Sequence, residues 1–133
     1  MKRDMDLIRD LLLKIENGRT SFQALPKSHA EALGISEEEA LDDTEAEELA
    51  RHLELLEEAG FAKFERTLDG EWFDANITWS GYEFLDNVRD PEIWEMAKRG
   101  ASKAGGAGLE LLGQLAKGLL KTQIEKHTGV DIG

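Results

Sequence analysis

Glu48 and His52 stand four residues apart in a stretch of strong helix formers, so a helix would stack a carboxylate and an imidazole one turn apart. Two such groups can share a metal ion. They are more simply read as a surface ion pair on a helix, because a metal site needs further ligands. The remaining histidines, His29 and His127, complete neither His-x-x-x-His nor His-Glu-x-x-His spacing. Ser80-Gly81 is no nucleophile elbow, since Gly-x-Ser-x-Gly is absent, and its expected work is helix capping. The run Ala101–Gly108, ASKAGGAG, does not follow a strand and has no closing Lys-Ser or Lys-Thr as a phosphate loop does, and reads as a linker. With no cysteine, a thiol nucleophile and a disulfide scaffold are both excluded. Carboxylates are plentiful, but nothing pairs two of them in an apolar setting. The chain is therefore expected to be non-enzymatic, with no catalytic residue, no metal and no cofactor.

The carboxylates are distributed unevenly. Of 133 residues with net charge −12, residues 36–58 hold eleven acids and the single base Arg51, for −10. Residues 1–35 sum to +1 and residues 59–133 to −3. The run from Ser36 to Leu49, SEEEALDDTEAEEL, contributes eight carboxylates and no base. Such a segment repels polyanions, because phosphate binding works by Lys and Arg displacing counterions. It is either a solubilising helix face or a functional acidic patch. The lack of cysteine makes the cytosol the natural compartment. No apolar run approaches the ~18 residues of a spanning helix, and the opening MKRDMDLIRD lacks a signal-peptide core.

The elements that must carry these groups follow from periodicity. Met5, Ile8, Leu11, Leu12 and Ile15 form one helical stripe, started by Asp4 and ended by Asn17-Gly18. Thr20-Ser21-Phe22 reads as a short strand, Pro26 interrupts, and His29–Leu33 fits a helical turn. Thr44 with Glu47 makes a capping box for a helix to Ala59 that buries Ala46, Leu49, Leu53 and Leu56. Phe61–Leu68 and Glu71–Thr78 flank Asp69-Gly70, which predicts a hairpin with a two-residue turn. Alternation in the second strand sets Phe73, Ala75 and Ile77 inward and Trp72, Asp74 and Asn76 outward. Ser80 to Glu83 reads as a second capping box, opening a helix with Phe84, Leu85 and Val88 inward. Asp90-Pro91 stops it and starts another, anchored by Trp94. A last helix, from about Leu109 to Lys126, carries Leu112, Leu115, Leu119 and Leu120, with Leu111 and Ile124 beside them.

The predicted fold class is mainly α with a small β-hairpin (α+β). Helix, irregular segment, helix, hairpin, helix is the order of a winged helix, so residues 1–90 are expected to form a winged-helix-like domain. Residues 91–133 would be a C-terminal helical extension with a glycine-rich hinge near 100–108.

Three stretches resemble one family. They are Met1-Lys2-Arg3-Asp4-Met5-Asp6-Leu7-Ile8-Arg9 with Leu12 and Ile15-Glu16, then His52-Leu53-Glu54-Leu55-Leu56-Glu57-Glu58-Ala59-Gly60, then Ile77-Thr78-Trp79-Ser80-Gly81-Tyr82-Glu83-Phe84-Leu85-Asp86 followed by Arg89-Asp90 and Trp94. In this order they resemble the family called domain of unknown function 2513. The resemblance implies a small bacterial protein, often carried by phages and other mobile elements, and it implies no activity. Tyr82 stands where the family's Gly-His-x-Phe-Leu form has His. The acidic run from Glu37 to Glu48 is longer than the family's usual connection, which weakens any transfer of DNA binding.

Function then turns on the would-be reading helix. A protein partner with a basic surface would meet Glu37, Glu38, Glu39, Asp42, Asp43, Glu45, Glu47 and Glu48, with Arg51 beside them. A phage protein of this kind could occupy a nucleic-acid-binding site on a host factor, its carboxylates mimicking phosphates. The alternative is a winged-helix transcriptional regulator that holds DNA through Lys2, Arg3, Arg51, Lys63 and Arg66, opposed by the local charge. Self-association as a homodimer would use Leu112, Leu115, Leu119 and Leu120. Residues 96–126, with six bases and two acids, give a third reading as a peripheral membrane helix.

Overall fold

The computed structural model describes residues 1–24, 42–103 and 108–129. The fold is mainly α with a small antiparallel sheet, and the chain divides into two compact units, Met1–Tyr82 and Glu83–Gly133.

In the first unit, helix α1 (Met5–Glu16) buries the expected stripe of Met5, Ile8, Leu11, Leu12 and Ile15. Asp4 caps it by accepting from the amides of Asp6 and Leu7 at 3.0 and 3.2 Å. Gly18, at φ 107°, ends it, with Gly18 N–H donating to Ile15 O and Arg19 N–H to Lys14 O, the paired bonds of a Schellman motif. The short strand β1 (Phe22–Gln23) follows. Pro26, the turn at His29–Leu33 and the run Glu37–Glu39 lie outside the described residues. Helix α2 (Asp43–Glu58) buries Ala46, His52, Leu53 and Leu56, while Leu49 is half-buried. Its cap is Asp42, which accepts from Glu45 N at 2.8 Å, and not Thr44. Asp42 satisfies the orphan amide of Glu45, so the helix starts two residues sooner than the Thr44 capping box predicts.

Strands β2 (Ala62–Arg66) and β3 (Glu71–Ile77) form the hairpin, and β3 lies between β1 and β2. The expected two-residue turn is not made. Arg66 pairs with Trp72, and Thr67 N–H donates to Glu71 O, so Leu68, Asp69 and Gly70 close the loop. A type I′ turn needs positive φ at both central residues. Only Gly70, at φ 89°, has it here, which is the three-residue loop with a left-handed glycine.

The predicted facing of β3 is also corrected. Trp72 and Ala75 are buried and Phe73 is 38% exposed. The cause is a bulge. Lys63 pairs with Asn76 and Glu65 with Phe73, so Phe64 opposes both Asp74 and Ala75. Asp74 takes φ 54°, a conformation that Asp tolerates better than most side chains. The extra residue flips the alternation. It turns Trp72 inward, edge-on to Phe64 at 5.4 Å, while Phe64 also meets Phe22 edge-on at 6.4 Å. The Ala75 amide, displaced from the β2 ladder, donates to Thr20 O at 3.0 Å. Helix α1 packs on β3 and α2, and α2 packs on β2.

Helix α3 (Trp79–Val88) runs across the boundary between the units. Thr78 caps it and Ser80 does not: Thr78 Oγ1 accepts from Gly81 N at 3.1 Å. In the second unit Phe84, Leu85 and Val88 are buried, as their spacing predicts. Asp90 caps helix α4 (Pro91–Lys103) by accepting from Glu92 and Ile93 amides, with Pro91 at the first helical position. Trp94 is 2% exposed and meets Phe84 edge-on. Gly100 to Lys103 continue α4, so the start of the expected hinge is helical; residues 104–107 lie outside the described residues. Helix α5 (Leu109–Thr128) packs on α4, with Leu112 and Ala116 fully buried and Ala97 and Ala101 likewise on α4. Alanines one turn apart let two helix backbones approach closely. Gly113 lies against the Phe84 ring, and Gly129, at φ 72°, ends α5.

Candidate functional site

The acidic face is the N-terminal half of α2. Asp43, Glu45, Glu47 and Glu48 are all exposed there, and Asp42, also exposed, uses its carboxylate as the cap. The helix folds this way because Ala46, Leu53 and Leu56 face the sheet and α1, which leaves the glutamates on the opposite side. Carboxylates in a first turn are held favourably by the positive end of the helix dipole. Glu37, Glu38 and Glu39 lie outside the described residues.

Arg51 is the base on this helix, and it is engaged by its own chain. Its guanidinium donates to Glu54 at 2.9 Å and to Glu58 at 3.0 Å. The bond to Glu54, then that to Glu58, pushes its pKa above the usual arginine value. On the hairpin, Arg66 pairs with Glu57 and lies 4.3 Å from the centroid of the Trp72 ring. Lys2 and Arg3 are exposed ahead of α1, and Lys63 is exposed on β2. The bases of the DNA reading are therefore spread over α1's approach, α2 and β2, and two of them are tied to glutamates.

The Glu48–His52 pairing is corrected. His52 is 1% exposed, and its partner is the Glu48 backbone, not the carboxylate. Nε2 accepts from Asp4 N–H at 2.8 Å. An amide can only donate, so Nε2 is unprotonated, and Nδ1 carries the proton that it donates to Glu48 O at 2.6 Å. Both ring nitrogens are used, and His52 ties the start of α1 to the acidic half of α2. Among the described residues, no three His, Asp or Glu side chains converge to hold a metal, and no helix is long and apolar enough to cross a membrane. Of the proposed self-association stripe, Leu112 is fully buried within its own chain and Leu115, Leu119 and Leu120 are half-buried.

Sequence reasoning missed the junction between α2 and α3. Helix α2 ends in a Schellman motif, with Gly60 N–H donating to Glu57 O and Phe61 N–H to Leu56 O. Thr78 N–H donates to Phe61 O, and Thr78 Oγ1 to Gly60 O. Gly81 sits so close that a Cβ there would lie 2.1 Å from Phe61 O and 2.7 Å from Ile77 Cγ2. The large apolar side chain that this stretch leaves uncovered is Trp79, 81% exposed, with Tyr82 46% exposed one turn on. At 100° per residue Trp79 falls roughly opposite the stripe of Phe84, Leu85 and Val88, so its exposure could have been read from spacing.

Fold and site together define a small acidic protein of mainly helical architecture whose distinctive surface is a carboxylate-bearing helix face. The chain belongs to the family described as "Hypothetical protein (DUF2513)", whose model matches residues 2–107. It is similar to an "Uncharacterized protein" of Haemophilus influenzae, 27% identical over 128 residues that cover 93% of this chain and 99% of that protein. No solved structure matches.

Proposed function

We propose that this is a non-enzymatic interaction protein that binds a basic surface of a protein partner through the acidic half of α2. The observation that carries the reading is the state of the nearby bases. Arg51 and Arg66 are bound by Glu54, Glu58 and Glu57, and the side chains of Asp43, Glu45, Glu47 and Glu48 are exposed. A polyanion approaching this helix meets carboxylates, and a basic protein meets complementary charge that speeds association and selects partners. The mobile-element context that the resemblance implies would make a host nucleic-acid-binding factor the partner, the helix standing in for a phosphate backbone.

A second reading, a winged-helix DNA-binding regulator, is supported by the strand order β1-β3-β2 and by a hairpin between α2 and α3. Binding of the full-length protein to generic duplex DNA at about 50 mM salt separates the two, because phosphate attraction is strong there. The protein is expected not to bind, and to capture instead a nuclease-resistant partner from host lysate that E45Q/E47Q/E48Q no longer captures. Tight DNA binding that falls steeply with salt would overturn the interaction reading in favour of the regulator.

A further inference from the structure

The protein has three tryptophans, and they are treated differently. Trp72 and Trp94 are 4% and 2% exposed, and each carries a cation from its own chain: Arg66 lies 4.3 Å from the first ring centroid and Lys98 5.7 Å from the second. Trp79 is 81% exposed and meets no ring or cation among the described residues. Tyr82, three residues on, shares its side of α3 and is half exposed. The backbone beneath them is fixed by Thr78 on Gly60 and Phe61 and by the close approach of Gly81 to the Phe61 carbonyl. An aromatic pair on so rigid a mount costs little ordering on binding, and tryptophan and tyrosine are the residues that most often anchor protein interfaces. The unit that presents them, residues 1–82, has twenty acids and nine bases, for −11. An anionic partner is repelled by that field, and a basic one is drawn in.

We propose that Trp79, with Tyr82, is an aromatic anchor that receives an arginine or lysine side chain from a basic segment of the protein partner, stacking on it as Arg66 stacks on Trp72. The proposal rests on the interaction reading above, and adds a second contact point that acidic charge alone does not supply. A cation over an indole face is favourable in water and more so once desolvated, which fits a ring waiting uncovered beside an acidic body.

The test is fluorescence anisotropy of a labelled hexa-arginine peptide titrated with full-length protein at low salt. Trp79→Ala leaves the net charge unchanged and, the ring being exposed, should leave the thermal melt unchanged. It is expected to weaken binding about fivefold or more, while Trp79→Phe stays within about threefold of wild type. If Trp79→Ala binds as wild type while E45Q/E47Q/E48Q weakens binding, the anchor is overturned and the acidic-face reading stands. If the wild-type protein does not bind the peptide, both fall. If Trp79→Ala instead dissolves a dimer seen by light scattering, the ring is covered by a second copy and the proposal is overturned.

Discussion

The two ends of α2 are built on different principles. At the N-terminal end, one exposed Asp42 caps the helix, and the next residues present carboxylates to water. At the C-terminal end, the chain reverses through Gly60 and is stitched to α3 by Thr78 and Gly81. The first end is specified by charge, which many side-chain arrangements satisfy. The second is specified by backbone distances, which very few satisfy. Surface that is free to change for a partner is thus joined by one helix to a corner that must not change, and His52 marks the passage between them.

Gly81→Ala should break the contrast most severely. Its new Cβ would fall 2.1 Å from the Phe61 carbonyl oxygen, and a backbone atom cannot swing aside as a side-chain tip can. Overpacking of this kind costs about 3 kcal/mol or more. Urea denaturation should show a matching loss of unfolding free energy; a variant with the wild-type midpoint would mean that the corner yields after all.

His52→Leu should come next. Leucine matches the buried volume roughly but leaves the Asp4 amide without its acceptor at the start of α1. A fully buried donor stripped of its partner costs about 1–3 kcal/mol, and this part-buried bond should lie at the low end. His52→Gln, which can place an acceptor near the same amide, should lose less. Equal losses for the two variants would show that the ring's packing, and not its hydrogen bonds, matters at this position.

How far the fold is legible from sequence divides along the same line. Helix α1, the Asp90-Pro91 start of α4 and the inward face of α3 follow from periodicity and caps, because each is decided within a few neighbouring residues. The facing of β3 does not, since the bulge at Asp74 is set by pairing with β2 on one side and by Thr20 on the other. The caps of α2 and α3 each lie earlier in the chain than predicted, since Asp42 and Thr78 compete with equally plausible Thr44 and Ser80. Thr78 prevails because the same hydroxyl also reaches Gly60 O across the junction, a contact absent from any local window. Of the site, the acidic face is visible in the charge map. The pairing of Arg66 with Glu57 is not, and neither is the burial of His52: both depend on how α1, α2 and the hairpin meet.

The smallest effect on stability is expected at the end of α2 that matters most for binding. In E45Q/E47Q/E48Q three charges leave the first turns, and with them some favourable interaction with the helix dipole, about 0.3–1 kcal/mol for each. Repulsion within the acidic run is relieved at the same time, since like charges one turn apart destabilise by comparable amounts. The Asp42 cap bonds the Glu45 backbone amide and survives the substitution. The two terms offset, so the free energy of unfolding should change by about 1 kcal/mol or less. They differ in reach, however, and salt separates them. Raising ionic strength from about 0.05 to 0.5 M shortens the screening length and weakens repulsion among exposed carboxylates. The wild type should therefore gain stability over this range and the variant should gain less. If both respond alike, the carboxylates of this face do not strain one another, and the acidic half of α2 is as settled as its glycine-bound end.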